Sequence, residues 1–201
     1  MHETLQSLLR DRRIWQGEVA ATPAAGTPTG CSDLDAALPG GGWPTASLTE
    51  ILIQHHGLGE LELLMPALAQ LSKTPRVIVW VAPPFIPYAP ALIGAGIELK
   101  RLLVVHAETP ADVLWSAEQA LRSGGCAAVL LWAEPSMRWL RRLQLAAEAG
   151  SAWGVLFRTA EAQTRSSYAA LRLRVQPERL ELLKCRGGRP RVLHTSWRAP
   201  Q

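Results

Sequence analysis

Apolar residues recur along this chain in two alternating rhythms. Continuous runs of aliphatic and β-branched residues occur at Leu48–Ile53, Arg76–Ala82, Leu102–Val105, Cys126–Trp132 and Gly154–Arg158. They have the length and composition of strands buried on both faces. Between them apolar positions repeat every three or four residues. Leu61, Leu64, Leu68 and Leu71 predict a helix over Leu58–Leu71, in which Pro66 imposes a kink or a late start. A short helix is expected from about Tyr88 to Ala95. Thr109 caps another, with Pro110 at its first position, running to Arg122 and ended by Gly124-Gly125. A further helix covers Ser136–Ala149. Strand and helix in alternation predict an α/β fold, a mostly parallel sheet flanked by helices on both faces.

After Arg158 the rhythm changes. Leu171, Leu173 and Val175 alternate with Arg172, Arg174 and Gln176, and Arg179–Cys185 and Arg191–His194 follow as short strands around a Gly187-Gly188 hairpin signal. An antiparallel extension at the C-terminal edge of the sheet is predicted. At the other end, residues 3–14 fit a short amphipathic helix with Leu5, Leu8 and Leu9 on one face, continued by Ile14, and with Arg10, Arg12 and Arg13 on the opposite face. Val19–Thr29, rich in Ala, Thr, Pro and Gly, reads as a flexible linker. The expected organisation is therefore helix and linker over 1–28 and one domain over 29–201.

Composition narrows the class. A hydrophobic share of 48% and a charged share of 19% suit one folded domain of 201 residues. Cys31, Cys126 and Cys185 match no metal spacing or disulfide framework, which points to a reducing cytoplasm. Val77–Ile97 carries no charge, yet Pro83, Pro84, Pro87, Pro90, Gly94 and Gly96 would break a membrane-spanning helix. It reads as a strand, a proline-rich turn and a short helix. Met1–Arg13 lacks the apolar core of a signal peptide, so export is not expected.

Charge is unevenly placed. From Arg138 onward there are 13 Lys/Arg against 4 Asp/Glu; before it there are 8 against 13. A basic C-terminal third suits a polyanion or an acidic partner. Arg172 and Arg174 share a strand face, Arg186, Arg189 and Arg191 surround the last hairpin, and Trp197 lies close behind. Arginine for phosphate and an aromatic for stacking make single-stranded DNA a candidate ligand. The plainer reading is the wet side of an edge strand. Arg138, Arg141 and Arg142 form a second basic stripe that could face a partner protein. Trp80, Trp115, Trp132, Trp139 and Trp153 follow apolar faces and are expected to be buried or half-buried; Trp43 should pack at the entrance of the sheet.

Over residues 29–195 the chain resembles a RecA-type core. The resemblance rests on Thr29-Gly30, then Leu34-Asp35, then Leu38-Pro39-Gly40-Gly41-Gly42-Trp43-Pro44, then a strand containing Glu50-Ile51-Leu52. Together with the late segment Leu182-Leu183-Lys184-Cys185-Arg186-Gly187-Gly188-Arg189-Pro190, it is more closely similar to the ImuA family and its SulA-related cousins. That resemblance implies an accessory protein of SOS-induced translesion DNA synthesis, working beside ImuB, a catalytically dead Y-family polymerase homologue, and an error-prone polymerase. RecA, single-stranded DNA and self-association through the N-terminal arm are further implied partners, with Leu5, Leu8 and Leu9 as its contacts.

The phosphate loop of that fold is altered. It reads Gln54-His55-His56-Gly57-Leu58-Gly59-Glu60-Leu61-Glu62, and the expected lysine maps near Gly59 or Glu60. Ala82-Pro83-Pro84 stands where a water-activating glutamate would follow the second strand. Trp132 stands where an acid would hold Mg²⁺, with Glu134 two residues on. Phosphoryl transfer would lose its main electrostatic terms, so no ATP hydrolysis and no cofactor are expected. Gly57 and Gly59 read as a tight turn, and His55-His56 as a loop pair without a third ligand. Two alternatives remain open: a SulA-like division inhibitor binding FtsZ, and an ATPase recruiting Lys73, Lys100 or Lys184.

Overall fold

The computed structural model describes residues 25–194. Leu5, Leu8, Leu9 and Trp197 lie outside these residues, as does the predicted N-terminal helix. An eight-stranded sheet runs in the order β3-β2-β4-β5-β1-β6-β7-β8. Its strands are β1 (Ser47–Ile53), β2 (Val77–Val81), β3 (Leu102–Val105), β4 (Cys126–Trp132), β5 (Trp153–Thr159), β6 (Leu171–Gln176), β7 (Arg179–Cys185) and β8 (Arg191–Leu193). The helices are α1 (Ser32–Ala37), α2 (Met65–Ser72), α3 (Ala89–Gly94), α4 (Pro110–Arg122) and α5 (Met137–Gly150).

Pro66 sits in the first turn of α2, where its missing N–H costs nothing, so the helix starts late after a 3₁₀ turn over Glu62–Leu64. The predicted antiparallel extension begins one strand later than expected. β6 pairs parallel with β1, with Glu50 opposite Arg172; only β7 turns back against β6, and β8 against β7. The alternating pattern of β6 gave its faces but not its direction. Residues 160–170 carry the chain from the end of β5 past β1 to the far side, which makes a parallel pairing possible.

Two apolar layers cover the sheet. Leu34, Trp43, Leu64 and Leu68 pack with Ile51, Trp80, Leu130 and Phe157 on one face. Val113, Leu121, Leu140 and Leu143 of α4 and α5 pack with Val79, Val129, Leu131 and Leu156 on the other. Trp43 is wholly buried and stacks on Trp153 with ring centroids 5.2 Å apart. The end of the expected linker belongs to this core. Thr27 bridges Trp43, and a Cβ on Gly26 or Gly42 would meet the facing backbone at 2.6 or 2.3 Å.

At the centre of the sheet lies a buried charge cluster. Glu50 is fully buried in the otherwise uncharged β1. Its carboxylate accepts a hydrogen bond from Arg172 Nε at 2.8 Å and another from the Ser167 hydroxyl, with Arg158 Nη1 at 3.6 Å. Arg158 also meets Glu134 through Nε at 3.0 Å and Nη2 at 2.9 Å. The remaining Arg172 donors reach the carbonyls of Arg165 at 3.1 Å and Ala162 at 2.8 Å. One carboxylate thus ties β1, β5 and β6 to the crossover segment 160–167.

This corrects the reading of Arg172 as a DNA contact. Its side chain is 8% exposed and its donors are spent inside the fold, because the crossover segment covers the face that alternation marked as wet. Replacing Glu50 with Gln leaves two buried guanidinium groups against Glu134 alone. We expect Glu50→Gln to lose roughly 3–5 kcal/mol of stability, and Arg189→Ala, on the surface, less than about 0.5 kcal/mol. Urea unfolding checks both; a Glu50→Gln loss no larger than that of Arg189→Ala would contradict the role given to the cluster.

Candidate functional site

In an open parallel sheet, ligands gather at the carboxyl ends of the strands. Here that rim is made by the loop after β1, the proline run after β2 and the end of β4. The loop after β1 turns at Gly57 and Gly59, with φ of +88° and +89°. One of its amides is already taken. Gly57 N–H donates to Glu60 Oε1 at 3.0 Å, and His56 Nδ1 lies 3.9 Å from the same oxygen. The Glu60 side chain is 6% exposed, and its Oε2 has no hydrogen-bond partner among the described residues. An amide that such a loop can offer a phosphate is held by the loop's own carboxylate.

The end of β2 is bent outwards. Ala82 takes the left-handed conformation at φ 51° and directs the chain into Pro83-Pro84-Phe85-Ile86-Pro87. With Met65, Trp80, Leu92 and Trp132 this run lines a groove of about 460 Å³. Trp132 stacks on Phe157 at 4.7 Å and leans on Trp80 at 5.7 Å. Positions that the RecA resemblance associates with acids are therefore apolar. Phe85 is 71% exposed, Ile86 90% and Tyr88 71%. The charged residues in the lining are both acidic, Glu60 and Glu62. Sequence reading took this stretch for a plain turn; its run of uncharged apolar residues in a loop was the available signal.

The outer face of α5 forms a second surface. Arg138 and Arg141 are exposed beside Met137, Leu145 and Tyr168, around a depression of about 430 Å³. The Arg141 guanidinium lies 5.8 Å from the centre of the Tyr168 ring. Arg142, expected on the same stripe, also borders the depression, but its guanidinium is engaged within the fold. It bonds to the buried Glu118, which also takes Arg122 at 3.2 Å, and it lies 3.8 Å from the Trp139 ring centre. Trp115, expected to be at least half-buried, is 56% exposed on α4.

The predicted DNA-contacting arginines do not form one face. Arg174 bonds to Gln163 at 3.1 Å and approaches Glu181 at 3.6 Å, beside the covered Arg172. Arg186, Arg189 and Arg191 are exposed around the β7–β8 turn, with Arg186 3.4 Å from Glu148. Lys73 is exposed at the end of α2, Lys100 pairs with Glu98 at 3.1 Å, and Lys184 donates to the Ser167 carbonyl at 2.8 Å. None of the three lines the groove. Burial, with Arg186 and Arg172 nearby, lowers the Lys184 pKa, while Glu50 acts the other way. Burial pushes the Cys185 thiol up. Among the described residues no group of three or more His, Cys, Asp or Glu is placed to hold a metal.

Comparison with known proteins now adds to this geometry. Protein ImuA of Caulobacter vibrioides is 30% identical, over 84% of this chain and 82% of its own. The chain belongs to the ImuA family. Within it, residues 47–154 match the family model described as Cell division inhibitor SulA. The SulA of Edwardsiella piscicida is 32% identical over 49% of this chain and 60% of its own. The crystal structure of SulA from Pseudomonas aeruginosa is 31% identical and covers 55% of this chain and 97% of its own, with a TM-score of 0.47. In this ImuA-family chain the SulA-type match takes in Glu50, the Glu60 loop, the groove and α5. Arg158, Arg172 and the last hairpin lie beyond it.

Phe85 and Ile86 are surface residues of the groove and not part of the core. Phe85→Ser with Ile86→Ser is expected to change unfolding free energy by no more than about 0.5 kcal/mol while lowering the fluorescence of a bound hydrophobic dye. A destabilisation of several times that size would mean that the loop packs as core.

Proposed function

We infer that this chain is a non-catalytic, RecA-like accessory protein of SOS-induced, error-prone translesion DNA synthesis, acting as a scaffold for an ImuB-type partner. Its similarity to Protein ImuA along most of both chains is the observation that carries the reading. The RecA-like part rests on the lead-in, and on β1 lying inside a parallel sheet with a glycine-bearing loop and a helix after it. Glu60 stands in that loop in place of a lysine, and Trp132 and Pro83-Pro84 in place of acids, which supports binding without phosphoryl transfer.

The α5 face is the surface we assign to the partner. Arg138 and Arg141 next to Met137, Leu145 and Tyr168 suit an acidic segment with an apolar anchor. Arg186, beside Glu148, with Arg189 and Arg191 are the exposed arginines we assign to single-stranded DNA or RecA. No helix among the described residues is long and apolar enough to cross a membrane, and we place the action in the cytoplasm.

The match to the SulA family model over 47–154 favours one second reading, a division inhibitor that binds FtsZ. Capture of partners by the full chain, with ATP turnover followed in the same samples, separates the two. We expect the ImuB-type protein of the same cell to be retained without nucleotide and without turnover. Arg138→Glu with Arg141→Glu should weaken it about tenfold or more, roughly 1.4 kcal/mol, at an unchanged melting temperature. Retention of FtsZ alone would move the protein to division control. Turnover abolished by substituting Lys73, Lys100 or Lys184 would make it an enzyme.

A further inference from the structure

The start of α5 gathers donors that the fold leaves unused. Ser136, Met137, Arg158, Arg165 and Ser166 line a depression of about 310 Å³ there, and no acid is among its lining residues. It shares only Met137 with the depression beside Arg138 and Arg141. α5 is 14 residues long, and Leu140 is the first of its amides with a backbone acceptor. Ser136 stands at the N-cap, where a serine ordinarily accepts from one of the first amides, yet its side chain makes no such bond. The amides of Met137, Arg138 and Trp139 and the positive end of the helix dipole are therefore left open.

Two arginines add charge at different depths. Arg165 is exposed, and its guanidinium makes no ion pair or hydrogen bond among the described residues. Its backbone is fixed, the N–H donating to the Ala162 carbonyl at 3.1 Å and the carbonyl accepting from Arg172 at 3.1 Å. Arg158 lies in the floor with a side chain 1% exposed. Its Nε and Nη2 are spent on Glu134, while Nη1 makes no hydrogen bond and stands 3.6 Å from Glu50. Nη1 is too deep to touch a ligand. It acts through its charge, held under the site where solvent screens it poorly. Glu50 and Glu134 balance Arg158 and Arg172, so the uncompensated charge at the surface is that of Arg165.

This set suits a singly charged, planar anion. The guanidinium fork matches a carboxylate with two parallel hydrogen bonds. Glu134, beside the lining Pro135 and 43% exposed, opposes a doubly charged phosphate more than a carboxylate. Past Met137 the neighbouring face offers Leu145 and Tyr168 to an apolar anchor, which a peptide carries and a phosphate backbone does not.

We propose that the depression at the start of α5 is a carboxylate site, in which Arg165, the Ser136 and Ser166 hydroxyls and the first amides of α5 receive an Asp, Glu or chain-end carboxylate of an acidic partner segment. The inference rests on the α5 face as the partner surface, and it names a group that the partner brings to the start of the helix.

Amide NMR spectra of the full chain, titrated with acetate against chloride at constant ionic strength, test the site without the partner. Acetate should shift the amides of Met137, Arg138, Trp139 and Ser166, and Arg165→Ala should weaken its binding about tenfold or more. Ser136→Ala should weaken it too, at an unchanged melting temperature, because this serine caps nothing. Equal shifts with chloride, or a Ser136→Ala variant that melts earlier and binds acetate as before, would overturn the site. Tighter, Arg165-dependent binding of inorganic phosphate would overturn the carboxylate and assign the depression to a nucleic-acid backbone. In capture of the ImuB-type partner, Arg165→Glu should lower retention about tenfold. A tag fused after the partner's last residue should leave retention unchanged if a side chain supplies the carboxylate, and abolish it if the chain end does. Retention indifferent to Arg165→Glu would overturn this inference and leave the functional reading intact. No retention by the unaltered chain, with the acetate response present, would overturn the functional reading alone.

Discussion

A single carboxylate in the middle of the sheet sets the geometry of both candidate surfaces. Glu50 is an ion in a strand with no other charge, and burying it alone would cost several kcal/mol. It is tolerated because Arg172, Arg158 and Ser167 converge on it from β6, β5 and the crossover segment. Through Arg158 the network reaches Glu134, just past Trp132 at the groove and just before α5. Through Ser167 it fixes the neighbour of Tyr168, whose ring meets Arg141 on the α5 face. Loss of this cluster would loosen the crossover and move both surfaces at once.

Around that fixed centre, the strand ends carry a glycine-bearing loop and an apolar groove, and neither offers the groups that phosphate chemistry uses. Phosphate binding needs free amides and a cation; the loop after β1 supplies Glu60, which takes the Gly57 amide for itself. Metal-assisted transfer needs oxygen ligands; the end of β4 supplies Trp132, stacked on Phe157. With Glu60 and Glu62 as the lining charges, the groove's field opposes an anion. The same reasoning gives the α5 face the opposite preference, since its free charges are Arg138 and Arg141.

Much of this was legible in the sequence, for reasons that differ between elements. The first five strands, of which only β3 at the sheet edge is not buried, and the helices of the parallel part were marked by run length, leucine spacing, and Pro and Gly at their ends, as at Thr109-Pro110 and Gly124-Gly125. The loop without lysine was equally plain. Arg172 was misread because alternation reports which face a side chain takes and not what lies over that face. Glu50 and Arg158 carried a signal that was passed over: opposite charges in two strands too apolar to be exposed. Arg142 could not be told from Arg138 and Arg141 by spacing, because its partner Glu118 is on another helix. The groove needed the fold, since Phe85, Trp132 and Met65 are brought together only by the sheet order.

We propose that a RecA-like frame has here exchanged phosphate chemistry for protein binding. Calorimetric titration of the full chain with Mg-ATP tests it most directly. The account predicts no saturable heat up to millimolar nucleotide. Saturable binding in the micromolar range, altered by substituting Glu60, would show that the loop still accepts phosphate and would contradict it.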